Sequence, residues 1–357
     1  MAERQPSKLH VASSNLVSRS TSPADMAAAS AALRTAIGRE VRAGAALTDA
    51  AQQLSAAYRS GAAPANPTGH VHDSGTAAAY AAARMPATFA AIGRALAATA
   101  DRVPAFAPLS QLDVGAGTGA AAWAANAIWP GLSEVTLVDR EPAMVDLGRR
   151  LATGHPSLAT ADWRLATMAD ELGARADLVT AAYLLGELDD GGRPPFVGRL
   201  WAATRGVLIL VEPGSTTGFE RIRAARAALI VAGGHVIAPC PGDAPCPIAG
   251  AAWCHFLARL DRSPLQRTVK SAARSWEDEP FSFVAVSREP AAPPGGPTAR
   301  VVLGRPRQRP GVIELRICVD GRIETRTLSR RDGPGWKAAR DLAWGDAVPP
   351  EVLDAGR

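Results

Sequence analysis

The chain has 357 residues, of which 47% are hydrophobic and 20% charged, with a formal net charge of +5. These values are ordinary for a folded protein, and the length suits two domains or one large domain with additions. No run of about 18 uninterrupted apolar residues occurs, which excludes a helical membrane span and gives no reason to expect a membrane partner. The basic residues are almost all arginine, Lys8, Lys270 and Lys337 being the lysines. Arginine forks suit phosphate and base edges, although a genome rich in arginine and alanine codons accounts for the same composition.

The N-terminus lacks the apolar core of a secretory signal. Residues 1–22 are serine-rich and nearly acid-free, faintly like a transit peptide, and read as a disordered tail; the default compartment is the cytoplasm. Ser22-Pro23-Ala24-Asp25 is a helix start, an N-cap serine followed by proline. It opens an alanine-rich helical region over residues 23–105, interrupted by a Gly/Pro/Asn/His loop from Gly61 to Gly75. Tyr80, Met85, Phe89, Ile92 and Leu96 give Thr76–Ala100 a helical period that Pro86 should break or kink.

From Gln111 the pattern changes. Apolar strands over 111–114, 135–139, 162–165, 177–183 and 206–212 alternate with helical runs over 120–128, 143–151, 195–204 and 219–232. Such alternation predicts an α/β fold, a parallel sheet with helices on both faces, here a Rossmann-like domain spanning 106–289. Residues 239–256 form a Cys-rich insertion, and Trp276–Ser287 is a further strand able to close the sheet. Pro290–Pro297 reads as a linker. Beyond it, alternating runs over 301–303, 312–319 and 322–328 predict a small antiparallel β module within 298–345.

The segment Asp113-Val114-Gly115-Ala116-Gly117-Thr118-Gly119 joins the first strand to the first helix of this domain. That context lets glycines form a tight turn and a ligand approach the backbone at a helix N-terminus. Asp139, ending the second strand, is placed to accept hydrogen bonds from both hydroxyls of a ribose. A dinucleotide site would use the same devices, and a glycine turn without ligand would look similar. An acid two residues before the first glycine favours a cofactor carrying an amino group and a sulfonium over a pyrophosphate. The pattern resembles the cofactor loop of class I methyltransferases over residues 111–212. That resemblance implies S-adenosylmethionine as cofactor, with Asp113, Gly115, Gly117 and Gly119 at its methionine end, Asp139 on its ribose and Asp170 near its adenine.

The fourth strand of such domains delivers catalytic groups at its end. Here it reads Tyr183-Leu184-Leu185-Gly186-Glu187-Leu188, not the Asn/Asp-Pro-Pro-Tyr sequence of amino-methylating enzymes, and no cysteine is near. Glu187 can act as a base or equally as a structural carboxylate, and the catalytic residue stays unassigned.

Cys240, Cys246, Cys254 and Cys318 are the four cysteines of the chain, the first three spaced C-x5-C-x7-C. Four thiolates suffice for zinc or for an iron–sulfur cluster. C-x2-C knuckles of structural zinc sites are missing, and proline follows Cys240 and Cys246 directly, a pattern better suited to a cluster. Four unconnected buried thiols are the plain alternative. Gly233-Gly234-His235-Val236-Ile237-Ala238-Pro239-Cys240-Pro241, Cys246-Pro247 and Trp253-Cys254-His255-Phe256 resemble the small-ribosomal-subunit methyltransferase-like family, as do Tyr183–Leu188 and Tyr80–Ala87. The likeness covers roughly residues 75–330. It implies a [4Fe-4S] cluster on Cys240, Cys246, Cys254 and Cys318, with His235, His255 and Arg259 behind the ligands or facing RNA.

Arg305, Arg307, Arg309, Arg316, Arg322, Arg326, Arg330, Arg331 and Lys337 give the C-terminal module a basic rim. Such a rim tracks a phosphate backbone, with few aromatics for base stacking, or is simply a solvated face. The expected partner is small-subunit rRNA or a ribosome assembly intermediate, with a monomer the favoured state. The expected function is an S-adenosylmethionine-binding, rRNA-directed methyltransferase-like protein. Its alternatives are a non-catalytic assembly factor that keeps the pocket, and a small-molecule methyltransferase with a zinc site.

Overall fold

The computed structural model describes residues 23–60, 71–167, 170, 172–173, 175–290, 299–301 and 303–355. The expected tail (1–22), most of the expected loop (61–70) and nearly all of the expected linker (291–298) lie outside the described residues.

The N-terminal region is four helices: α1 Pro23–Glu40, α2 Ala45–Ser60, α3 Ser74–Ala83 and α4 Met85–Ala100. Asp73 caps α3, its carboxylate accepting from the Thr76 N–H at 2.7 Å. The break between α3 and α4 falls at Arg84, one residue before Met85-Pro86, because proline is at home in a first helical turn and disruptive beyond it. Met85, Phe89, Ile92 and Leu96 of α4 are all buried.

The central domain follows as β1 Ser110–Val114, α5 Ala120–Ile128, β2 Glu134–Asp139, α6 Pro142–Ala152, β3 Asp162–Leu165, β4 Ala176–Ala182, α7 Arg193–Ala203, β5 Thr204–Pro213 and α8 Thr216–Val231. It continues through β6 His235–Ala238, β7 Phe256–Asp261, α9 Pro264–Val269 and β8 Trp276–Ser287. The sheet order is β3-β2-β1-β4-β5-β8-β6, with β7 on the free half of β8. Strands β1 to β5 are parallel neighbours, and β8 runs antiparallel between β5 and β6. This is the Rossmann-like sheet of class I methyltransferases.

Burial on both faces explains the continuous apolar strands. Leu208 and Leu210 of β5 meet Phe196, Leu200 and Ile222 of α7 and α8, while Val207, Ile209 and Val211 pack toward α4 and α5 on the opposite face. The short β6 and β7 flank the Cys-rich insertion and carry no strand pattern of their own. β8 divides its length between partners: Trp276–Phe281 pairs with β7, and Phe281–Ser287 with β5.

The C-terminal module is a four-stranded antiparallel sheet of β9 Ala299–Val301, β10 Arg307–Arg309, β11 Val312–Val319 and β12 Arg322–Ser329. Helices α10 Pro334–Arg340 and α11 Pro350–Asp354 cover one face. Ile313, Leu315 and Ile317 alternate toward them and close a separate core with Leu328, Val352 and Leu353. Trp344 meets His255 edge-on at 4.6 Å, tying the module to the central domain. No described helix is long and apolar enough to cross a membrane.

Candidate functional sites

The glycine loop leaves β1 at the carboxyl edge of the sheet, where parallel strands of this topology open a crevice. Gly115 and Gly119 have φ of +70° and +89°, a region costly for residues with a Cβ. A cleft of about 1460 Å³ lies against the loop, lined by Gly115, Gly117, Asp139, Thr167, Tyr183, Glu187 and Glu212, among others. Tyr80, Arg84 and Thr88 of the helical region form another part of its wall.

Asp139 sits at the centre of this arrangement. One carboxylate oxygen accepts from the Gly117 N–H at 2.7 Å and the other from the Glu141 N–H at 2.9 Å. Each oxygen keeps lone-pair capacity for a further donor. Burial pushes its carboxyl up, and the two backbone hydrogen bonds pull it down.

The remaining loop residues are placed differently. Asp113 is 2% exposed and is not part of the cleft wall. Its Oδ1 accepts from the Thr180 hydroxyl at 2.7 Å, and Thr180 in turn accepts from the Gln111 amide at 3.1 Å. Oδ2 is buried with no partner. Burial drives this carboxyl up to about 7, so Asp113 is a polar anchor beneath the loop. Gly119 serves close packing, since a Cβ there would stand 2.9 Å from the Trp163 ring. Asp170 closes a small turn, accepting from the Thr167 N–H and hydroxyl at 2.7 and 2.9 Å.

Further cleft residues come from the exit of β4, which the sequence marks, and from Glu212 at the end of β5, which it does not. Tyr183 leaves β4 with φ of +58°, and its hydroxyl is buried without a partner. Glu212, 1% exposed, accepts from the Leu185 N–H at 2.9 Å and pairs with Arg221 at 3.1 Å, fixing the turn after β4. Burial pushes Glu187 up, while Arg140, 3.2 Å away, pulls it down.

The cysteines form a second centre on the far side of α8. Cys240 follows β6, Cys254 precedes β7, Cys246 lies on the loop between, and Cys318 is on β11. All four line one cavity of about 50 Å³, with Phe219, Ile222 and Phe283 among its apolar walls. The loop is stitched down: Asp243 accepts from the Val236 N–H at 2.6 Å and meets His235 at 3.3 Å. The Ser282 hydroxyl donates to the Cys254 carbonyl at 2.7 Å. Burial and mutual repulsion raise Cys240, Cys254 and Cys318, the last to about 12.

Among the described residues, no group of three or more His, Cys, Asp or Glu is arranged to hold a metal ion. The sulfurs wall a space several times the roughly 10–15 Å³ that one water needs, instead of converging on one point. His255 is sandwiched by Trp253, stacked at 5.1 Å, and Trp344, and Arg259 makes a two-pronged pair with Asp278, both bonds 2.8 Å. Neither faces the cysteine cavity wall.

The third feature is the face of the C-terminal sheet turned away from α10 and α11, covered at its Cys318 end and open beyond it. Strand register places Arg307, Arg309, Arg316, Thr325 and Thr327 on that face, all exposed. Arg307 pairs with Glu314 at 3.2 Å, and Arg322 and Arg326 share Glu324.

The family model for the mitochondrial small ribosomal subunit protein Rsm22 matches residues 74–349, which takes in the cleft, the cysteine cavity and the β module. The chain belongs to the Rsm22 family. Its relatives include the human mitochondrial ribosome assembly protein METTL17, 32% identical over 297 residues, which are 77% of this chain and 63% of that protein. The Rsm22-cox11 tandem protein 2 of Schizosaccharomyces pombe is 25% identical over 290 residues, 67% of this chain and 38% of that protein. This Rsm22-family chain therefore spans less than two thirds of the length of either relative. Among solved structures, an O-methyltransferase family protein from Burkholderia thailandensis is similar with a TM-score of 0.40 and 14% identity, covering 62% of each chain. The fold assignment rests on strand order, not on likenesses of that size.

Proposed function

We propose that this Rsm22-family chain binds S-adenosylmethionine in the cleft over Gly115–Gly117 and acts in assembly of the small ribosomal subunit through its basic β module. The observation that carries the cofactor is Asp139: a half-buried carboxylate facing the same cleft as Gly115 and Gly117, its two oxygens held by backbone N–H groups. Two fixed acceptors suit the two hydroxyls of a ribose. Bound cofactor supplies an electrophilic methyl group on a sulfonium. Tyr80, Arg84 and Tyr183 of the cleft wall then bound the space around the ligand.

We further propose that Cys240, Cys246, Cys254 and Cys318 hold a [4Fe-4S] cluster. Buried thiols raised above their ordinary range are ionised only beside a compensating cation, and all four cysteines wall one cavity that could take it. Cys318, from the β module, makes the site a junction between the two parts of the chain.

One observation favours an assembly factor over a methyltransferase. The exit of β4 offers Leu184, Gly186 and a Glu187 already tied to Arg140, and among the described residues no free acid–base pair stands over the loop. The deciding experiment combines calorimetric titration of S-adenosylhomocysteine with rRNA crosslinking and methylation mapping on small-subunit precursors. Binding and crosslinking without methyl gain support the assembly reading. A methylated nucleotide moves the assignment to an enzyme, and the absence of both binding and crosslinking refutes the proposal. Anaerobic purification with iron and sulfide analysis tests the cluster.

A further inference from the structure

Arg226 of α8 reaches into the wall of the four-cysteine cavity and is 6% exposed. Its Nη2 donates to the carbonyls of Gly242 and Ala244, each at 2.7 Å, so one nitrogen grips the loop midway between Cys240 and Cys246. The guanidinium lies near the Cys240 thiol and pulls it down against the effect of burial. Its Nε is buried with no partner. One turn earlier, Arg223 donates to the Ile248 carbonyl at 3.3 Å and fastens the same loop beyond Cys246.

A buried guanidinium is expensive unless an anion answers its charge. Carbonyls satisfy its hydrogen bonds but leave the charge unanswered, and no ion pair to a carboxylate is found for it among the described residues. The groups in its field that become anionic on ligation are the sulfurs of Cys240 and Cys318. Among the described residues, the four cysteines share the cavity wall with Arg226 and are placed to answer that charge once they ligate.

We propose that Arg226 is the positioning residue of the four-cysteine site. It holds the Cys240–Cys246 loop in ligating geometry, supplies the counter-charge for the sulfurs, and keeps Nε as the unused donor of the site. This rests on reading the cysteines as cluster ligands, and the two ideas separate experimentally.

The test uses the full chain purified anaerobically as wild type, Arg226→Met, Arg226→Gln and Arg226→Lys. Amide hydrogen exchange over residues 240–248, iron and sulfide per chain, and the midpoint potential of the bound cluster are measured on each. In Arg226→Met, loop exchange should quicken at least tenfold and iron and sulfide should fall below half of wild type. Clusters that do form should have a more negative midpoint, because a lost positive charge disfavours the reduced, more anionic state. Arg226→Lys should restore the midpoint but only part of the loop protection, a split that a purely structural role would not produce. If Arg226→Met fails to fold, the shorter polar Arg226→Gln carries the same readings. Wild-type loop exchange in the uncharged variants overturns the proposal, as do wild-type loading and midpoint. A wild type without iron or sulfide overturns the cluster reading and the counter-charge role, while loop exchange still decides the holding role.

Discussion

Leu184 lies on Gly115: a Cβ added at position 115 would stand 2.7 Å from Leu184 Cδ2 and 2.8 Å from Cδ1. The glycine loop and the exit of β4 therefore interlock, and the space over the loop is shared between Leu184 and any ligand. Gly115→Ala should strain a φ of +70° by about 1–2 kcal/mol and displace Leu184. We expect the Kd for S-adenosylhomocysteine to rise at least tenfold, with a fall in Tm of roughly 2–6 °C. Leu184→Ala in the same chain should recover part of the binding, a coupling that a double-mutant cycle measures. Wild-type affinity in Gly115→Ala would refute this placement of the pocket.

Asp113 gives the fold a pH signature. Its folded carboxyl is raised to about 7, whereas an unfolded one titrates near 3.9. The folded chain thus holds a proton that the unfolded chain releases. Its contribution to stability is fullest below about pH 4, falls as pH rises toward 7, and is level above that. Asp113→Asn removes the titration, so its stability relative to wild type should climb between pH 4.5 and 7.5, by up to roughly 4 kcal/mol. Urea melts at four pH values check this, and parallel slopes for the two proteins would be the contrary result.

Glu212 is the buried fastening of the β4 exit, paired with Arg221 and accepting the Leu185 N–H. Removing one member of a buried pair leaves the other uncompensated. Glu212→Ala should cost about 3 kcal/mol in chemical denaturation and weaken cofactor binding as the turn loosens. Glu212→Gln, which keeps an acceptor for Leu185, should lose less. Equal losses in the two variants would show that the hydrogen bond contributes little.

The open part of the C-terminal sheet face predicts a salt-dependent partner. Arg309→Glu with Arg316→Glu should weaken binding to small-subunit rRNA at least tenfold and flatten its dependence on salt, since two phosphate contacts are lost. Both positions are exposed and on one face, so folding should be unaffected. A filter-binding series from 50 to 300 mM salt, about the range in which counterion release is largest, measures both effects. An unchanged slope would move the RNA contact elsewhere.

Much of this arrangement is legible in local pattern. Strand–glycine–helix context marks Gly115 and Gly117, and the end of a second strand marks Asp139, because short-range geometry determines both. The role of Asp113 is not legible, since the sequence cannot say which face of β1 meets Thr180. Strands β6 and β7 escape notice because each is short and borders a Pro/Cys-rich loop, and their pairing depends on how the distant β8 divides its length. Cys240, Cys246 and Cys254 announce themselves by proximity. Cys318 joins them only through the docking of the β module, and Arg226 has no signal at all, because its loop partners are backbone carbonyls.

The division of the cysteines has a consequence for how the protein comes into being. Three of them leave the ribosome together with the central sheet, while Cys318 is synthesised 64 residues after Cys254 and reaches the cavity only when β11 has paired with β12. Until then the nascent chain presents three thiols in a pocket that lacks part of its wall, open to oxidation. Completing the site is a long-range event, slower than forming the local turns that set Cys240 and Cys246. The β module therefore acts as the stopper of a vessel whose walls were built earlier, and the arginine-bearing sheet face takes its final orientation in the same step that seals it.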